Sequence, residues 1–160
     1  MKRQRWLILF GILSAAVMAF IFTHSMLSKE DSSQQSAVWF ALLKPILDPT
    51  DRYPDELLHN FVRKMAHFAE FGALGVCVGG FTTNLGWLHG KRYISLSMLI
   101  TLATAVCDEF LQYFFDRGSM VADVVLDYSC ALTGLLAVAA FVWIQARLAS
   151  KKKERNNDTL

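Results

Sequence analysis

Arg63, Lys64, His67 and Glu70 crowd into one short stretch of the chain. Arg63, His67 and Glu70 stand at i, i+4 and i+7, which puts their side chains on one face of a helix. Asp108 and Gln112 repeat the i, i+4 spacing with Glu109 beside them. Asp123 and Asp127 repeat it again, preceded by Arg117. These ten residues form the expected ligand-binding set, and their types allow three kinds of work. A histidine next to a carboxylate can act as a general base with its orienter, here His67 with Glu70; Asp108 and Asp123 complete the candidates for a catalytic role. The acids Asp108, Glu109, Asp123 and Asp127 offer the oxygen ligands that divalent cations take. Arg63, Lys64 and Arg117 suit an anionic headgroup, and the acids a cationic one. No Ser or Cys nucleophile sits in a recognisable motif. Cys77, Cys107 and Cys130 lie in apolar sequence without metal-type spacing and read as small buried hydrophobes. No resident metal and no cofactor is expected.

The elements that must carry these residues are long and apolar. The chain has 160 residues, 54% of them hydrophobic and 19% charged, more apolar and less charged than an ordinary soluble domain. The apolar residues gather in blocks at about 6–27, 63–88, 93–115 and 120–148, each near the roughly 20 residues a helix needs to cross a hydrocarbon core of roughly 30 Å. A soluble bundle would show a polar stripe at helical period, and none runs through Leu7 to Phe22. The fold class is therefore all-α: a polytopic membrane protein of four transmembrane helices, in one domain over 1–150, with a basic tail at 151–160.

Net charge is +2 and uninformative; its placement is not. Lys2, Arg3 and Arg5 precede the first block, Lys91 and Arg92 separate the second and third, and Arg147, Lys151, Lys152, Lys153 and Arg155 follow the fourth. These stretches share one side of a four-span chain. The bias of Lys and Arg puts both termini on the cytoplasmic side of the plasma membrane. The first block reads as an uncleaved signal anchor, since no clean small-x-small site follows it. The basic tail reads as a stop-transfer flank, with no nucleic acid as partner, and it should be disordered.

The first outer loop opens with a polar stretch, Ser28 to Ser36, read as irregular. Val38, Trp39, Leu42, Leu43, Ile46 and Leu47 then recur at near-helical spacing and predict a short interfacial helix, broken or kinked at Pro45. Pro54 with Asp55 and Glu56 marks the start of the next helix. Gly75 and Gly79 form a GxxxG pair that permits close helix packing.

Alternating helix direction brings Glu70, Asp108 and Asp127 to one level, on the order of 10 Å inside the outer boundary at about 1.5 Å per residue. A charge facing lipid there costs roughly 2.5–3.5 kcal/mol even on the mild insertion scale. The carboxylates must face one another, the basic groups and water. A salt-bridged plug would do this too, but buried ion networks add little net stability over apolar packing. A working polar site is the better reading.

The two charged segments resemble the VanZ-like family, named for a teicoplanin-resistance protein. Its first signature is matched by Arg63-Lys64-Met65-Ala66-His67-Phe68-Ala69-Glu70-Phe71. Its second is matched by Asp108, Glu109, Gln112, Arg117 and Asp123. The resemblance runs from Arg63 to Gly134, and more loosely over the first span with its Phe22 to Ser25 end. Asp127 stands where the family often has Asn, and Cys130 where Gly is common. The resemblance implies an integral membrane protein linked to glycopeptide resistance, without a settled reaction. The expected activity is a polar pocket near the outer leaflet that engages the headgroup of a membrane lipid or lipid-linked amphiphile. The alternative is an intramembrane enzyme acting on a lipid-linked substrate. A proton-coupled carrier is disfavoured, because a polar face confined to one end makes no path across. Oligomeric state is left open.

Overall fold

The structure is a computed structural model of the chain and describes residues 2–115 and 120–157. It is built of α1 (Lys2–Ser25), α2 (Lys29–Leu47), α3 (Asp55–His89), α4 (Ile94–Phe114) and α5 (Val121–Asn157), with no strand among the described residues. α1, α3, α4 and α5 are long and apolar enough to cross a membrane, and Ser36–Leu47 is a shorter apolar helix. The chain is thus an all-α membrane protein. Its surface says the same: Ile8, Ile12, Phe20, Leu99, Leu136 and Phe141 stand exposed along the spans, a coat that lipid tolerates and water does not.

α3 is the central element and packs against every other helix, most extensively α5 and α1. Its start fits its sequence: Pro54 carries an extended ψ of 136°, and its carbonyl accepts the first amide bonds, from Leu57 at 3.1 Å and Leu58 at 3.2 Å. It ends at Gly90, whose φ of 66° is a left-handed conformation that glycine adopts without strain. The core beneath the polar end is Ile21, Phe71, Leu74, Val78, Ala105, Cys130 and Ala131.

The glycine spacing acts as expected. A Cβ on Gly75 would run into the Ala131 carbonyl of α5, and one on Gly134 into the Gly72 carbonyl of α3. Gly79 faces Leu135 and Val138 of the same partner helix, at 3.2 and 3.3 Å from a would-be Cβ. At Gly75 and Gly134 the α3–α5 backbones therefore approach more closely than a side chain permits.

The structure differs from expectation in three places. α2 begins at Lys29, so the polar stretch is helical and not irregular; Pro45 lies inside the last turns of the helix, close to its end at Leu47. Val38, Leu42 and Ile46 form an outward apolar stripe on it, as an interfacial helix presents one. α5 continues through the basic run to Asn157, since Lys, Glu and Arg are good helix formers. Of the three cysteines, all free, only Cys130 is buried; Cys107 is exposed and Cys77 intermediate.

A compact turn joins α2 to α3. The Asp48 carboxylate accepts the Tyr53 N–H at 2.8 Å, and the backbone amides of Arg52 and then Tyr53 hold its pKa below the usual carboxylate range. Lys44 bridges Asp51 at 2.8 Å and Asp55 at 2.5 Å, which, Asp51 first, raise its pKa above the ordinary lysine value.

Candidate functional site

The polar residues meet at the end of the bundle where α1 and α4 finish and α3 and α5 set out. Asp108 of α4 lies almost fully buried at its centre. One of its oxygens accepts the Ser25 hydroxyl of α1, and the other accepts the Gln112 side-chain amide, one turn along its own helix, at 2.9 Å. Asp127 of α5 is equally buried and lies 3.2 Å from the His67 ring through Oδ1. Its Oδ2 has no hydrogen-bond partner among the described residues. One ligand atom each of His67, Asp108 and Asp127 lies within 4.8 Å of the other two.

His67 therefore faces a different carboxylate from the one its sequence neighbourhood offers. Glu70, one turn further along α3, turns to the first span and meets His24 at 3.3 Å. The general-base pairing of His67 with Glu70 gives way to one with Asp127, because the α3–α5 packing at Gly75 and Gly134 brings α5 against the His67 side of α3. His24 and Ser25 join the cluster although nothing in their spacing points there; they look like ordinary polar residues closing an apolar span.

A small cleft of about 80 Å³ opens over His67 and Asp127. Arg63 and Lys64 of α3, Glu109 and Gln112 of α4, and Asp123 of α5 line it. Glu109 is buried and accepts the Met120 amide at 3.2 Å, which fixes the start of α5 to the end of α4. Arg63 and Lys64 are exposed and make no ion pair among the described residues. Of the ten expected residues, His67, Asp108, Gln112 and Asp127 form the interior. Arg63, Lys64, Glu109 and Asp123 line the approach, and Glu70 stands aside with His24. Arg117 lies outside the described residues.

Size limits what the cleft can do. A drug-sized ligand fills roughly 300–1,000 Å³, so about 80 Å³ takes one phosphate-sized group, or an ion with a water or two, and no more. Whatever larger body such a group belongs to would remain in the lipid or in water.

No curated protein and no solved structure gives a match to the chain. A family model described as VanZ/LLP1 matches residues 10–143. That stretch takes in every residue of the polar cluster and the helices that hold it, from Phe10 in α1 to Trp143 in α5. This protein belongs to the VanZ/LLP1 family.

Proposed function

We propose that this protein engages the headgroup of a cell-envelope amphiphile in the cleft between α3, α4 and α5, at the outer leaflet. The observation that carries the reading is the pair of exposed cations, Arg63 and Lys64, without an ion pair among the described residues, on a polar cleft too small for more than a headgroup fragment. Cations on the margin of a low-dielectric site attract phosphate strongly. The Lys and Arg excess at the opposite helix ends supports the placement outside. Lipid-linked wall precursors and lipid-anchored glycopeptides are the partners this chemistry fits. A contribution to teicoplanin-type resistance would act through the lipid-anchored part, since the glycopeptide body exceeds the cleft.

Native mass spectrometry of the full chain, released from vesicles doped with a polyprenyl phosphate or the matching uncharged polyprenol, tests the binding. Retention of the phosphate alone, lost in Arg63→Gln/Lys64→Gln, is expected. Equal retention of both lipids would overturn the reading. Survival on teicoplanin and on vancomycin tests the resistance role separately: protection should favour teicoplanin, which carries an acyl chain.

The contact of His67 with Asp127 favours a second reading, an intramembrane enzyme on a lipid-linked substrate. A histidine oriented by a buried acid is a general base of ordinary design. Conversion of the phosphate lipid during the same incubation would support it.

A further inference from the structure

We propose that His67, Asp108 and Asp127 form a divalent transition-metal site at the base of the cleft, where the cation links the buried carboxylates to a headgroup held at the rim. The site itself stands on its own geometry; the link to a headgroup rests on the reading above.

The donor atoms come from three separate helices, α3, α4 and α5, and lie within 4.8 Å of one another. Two ligands of a tetrahedral zinc are about 3.3 Å apart, given bonds of about 2.0 Å. His67 Nδ1 and Asp127 Oδ1 already stand at 3.2 Å. The 4.8 Å bound leaves Asp108 at most about 1.5 Å to close to complete the set.

An independent observation points to a ligand. Asp127 is 1% exposed, and its Oδ2 has no partner among the described residues. A buried carboxylate oxygen left without a donor is costly, and native structures supply one or bind an ion there. Asp108 is arranged as a metal ligand usually is: the Ser25 hydroxyl and the Gln112 amide fix its orientation with neutral donors and leave lone pairs on both oxygens.

The cation also answers a problem of charge. Glu109, Asp123 and Asp127 line the same cleft as Arg63 and Lys64. Those acids repel an anionic headgroup unless positive charge lies among them. Position and donor type select the ion. One imidazole and two carboxylates suit Zn²⁺ or Mn²⁺, whereas Mg²⁺ and Ca²⁺ prefer all-oxygen sites.

The full chain in phosphatidylcholine nanodiscs, stripped with a chelator and titrated with Zn²⁺, Mn²⁺, Mg²⁺ and Ca²⁺, tests this without any polyprenyl phosphate. One equivalent of Zn²⁺ or Mn²⁺ per chain is expected, with Mg²⁺ and Ca²⁺ at least tenfold weaker. Loss of an outer-shell partner typically lowers metal affinity about 10–100-fold. Ser25→Ala should fall in that range, and Asp127→Asn and Asp108→Asn beyond it. Asp51→Asn, at an exposed carboxylate in the α2–α3 turn, should bind as wild type. Because a buried substitution can disturb folding by itself, X-ray absorption on the zinc-loaded wild type gives a second reading. Nitrogen and oxygen ligands at about 2.0–2.2 Å with imidazole scattering are expected there. Absence of stoichiometric Zn²⁺ or Mn²⁺ in wild type, or wild-type affinity in a folded Asp127→Asn, would overturn the site. Phosphate-lipid retention by metal-free protein would leave the headgroup reading standing and remove only the cation's part in it. Metal uptake without lipid retention would do the reverse.

Discussion

Asp127 carries a carboxylate at 1% exposure with one oxygen in contact with His67 and the other unpartnered among the described residues. Such a group contributes little to folding in the metal-free protein, since an unsatisfied buried polar atom costs about 1–3 kcal/mol. Asp127→Asn keeps the shape and removes the charge. Metal-free Asp127→Asn should therefore unfold in nanodiscs no lower than wild type while headgroup and metal binding fall; a large drop in its melting temperature would mark Asp127 as a packing residue. Much of this residue-scale picture is legible in the sequence. The i, i+4 pairs on three apolar segments already require the polar groups to face inward. The partner of His67 is not legible. Glu70 is its neighbour along one helix, and only the relative rotation of α3 and α5 decides that Asp127 meets the ring while Glu70 meets His24. Ser25 lies in the Phe22 to Ser25 end that the family resemblance loosely takes in, but a lone hydroxyl there has no assignable role until another helix brings an aspartate to it.

At the scale of elements, the α3–α5 seam sets the site, and its glycines are not equivalent. A methyl at Gly75 would strike the Ala131 carbonyl, which is backbone and cannot turn aside, whereas one at Gly72 meets nothing within 4 Å. Overpacking of this kind costs about 1–3 kcal/mol, and removing a helix-interior glycine recovers up to about 1 kcal/mol. Gly75→Ala should lower the melting temperature and loosen headgroup binding, while Gly72→Ala should leave both unchanged or raise stability slightly. Equal behaviour of the two would mean that the seam does not position the site. The GxxxG pair shows this seam in the sequence, but the partner helix emerges only from Gly134 opposite it.

The α2–α3 turn answers to pH. Asp48 is held below the ordinary carboxylate range by the Arg52 and Tyr53 amides, so its ionised form favours the folded turn. That contribution is complete above the unfolded value of about 3.9 and is lost as pH falls through the lower folded one. Amide exchange at Tyr53 should stay slow at pH 5 and accelerate below about 4; Asp48→Ala, which removes the acceptor, should exchange fast throughout. The sequence shows through Pro54 where the next helix starts, but a carboxylate reaching forward to a backbone amide needs the folded loop to be seen.

The whole molecule is a bundle whose spans bury their carboxylates, Asp108, Glu109 and Asp127, at one end and whose flanks are apolar. That asymmetry is readable from composition alone, because lipid imposes long apolar segments and leaves charge few places to lie. The lengths of α2 and α5 are less readable. Polar residues such as those of 28–36 and 151–157 accept either helix or irregular chain, and propensity with local packing decides. Reporter fusions at Thr50 and at Gly90 test orientation: the first should report the outside and the second the cytoplasm. The reverse pattern would move the cleft to the inner leaflet.

The cluster is held to be a water-open site for an anionic headgroup and not a plug. Thermal unfolding in nanodiscs, with and without a polyprenyl phosphate, on wild type and Arg63→Gln/Lys64→Gln distinguishes the two. A ligand bound only by the native state stabilises it by about 2.7 kcal/mol at 100 times its Kd. The phosphate should therefore raise the wild-type melting temperature by several degrees and leave the double variant unmoved, with the two proteins melting together in its absence. A variant that melts well below wild type without ligand, beside a wild type indifferent to the phosphate, would contradict it.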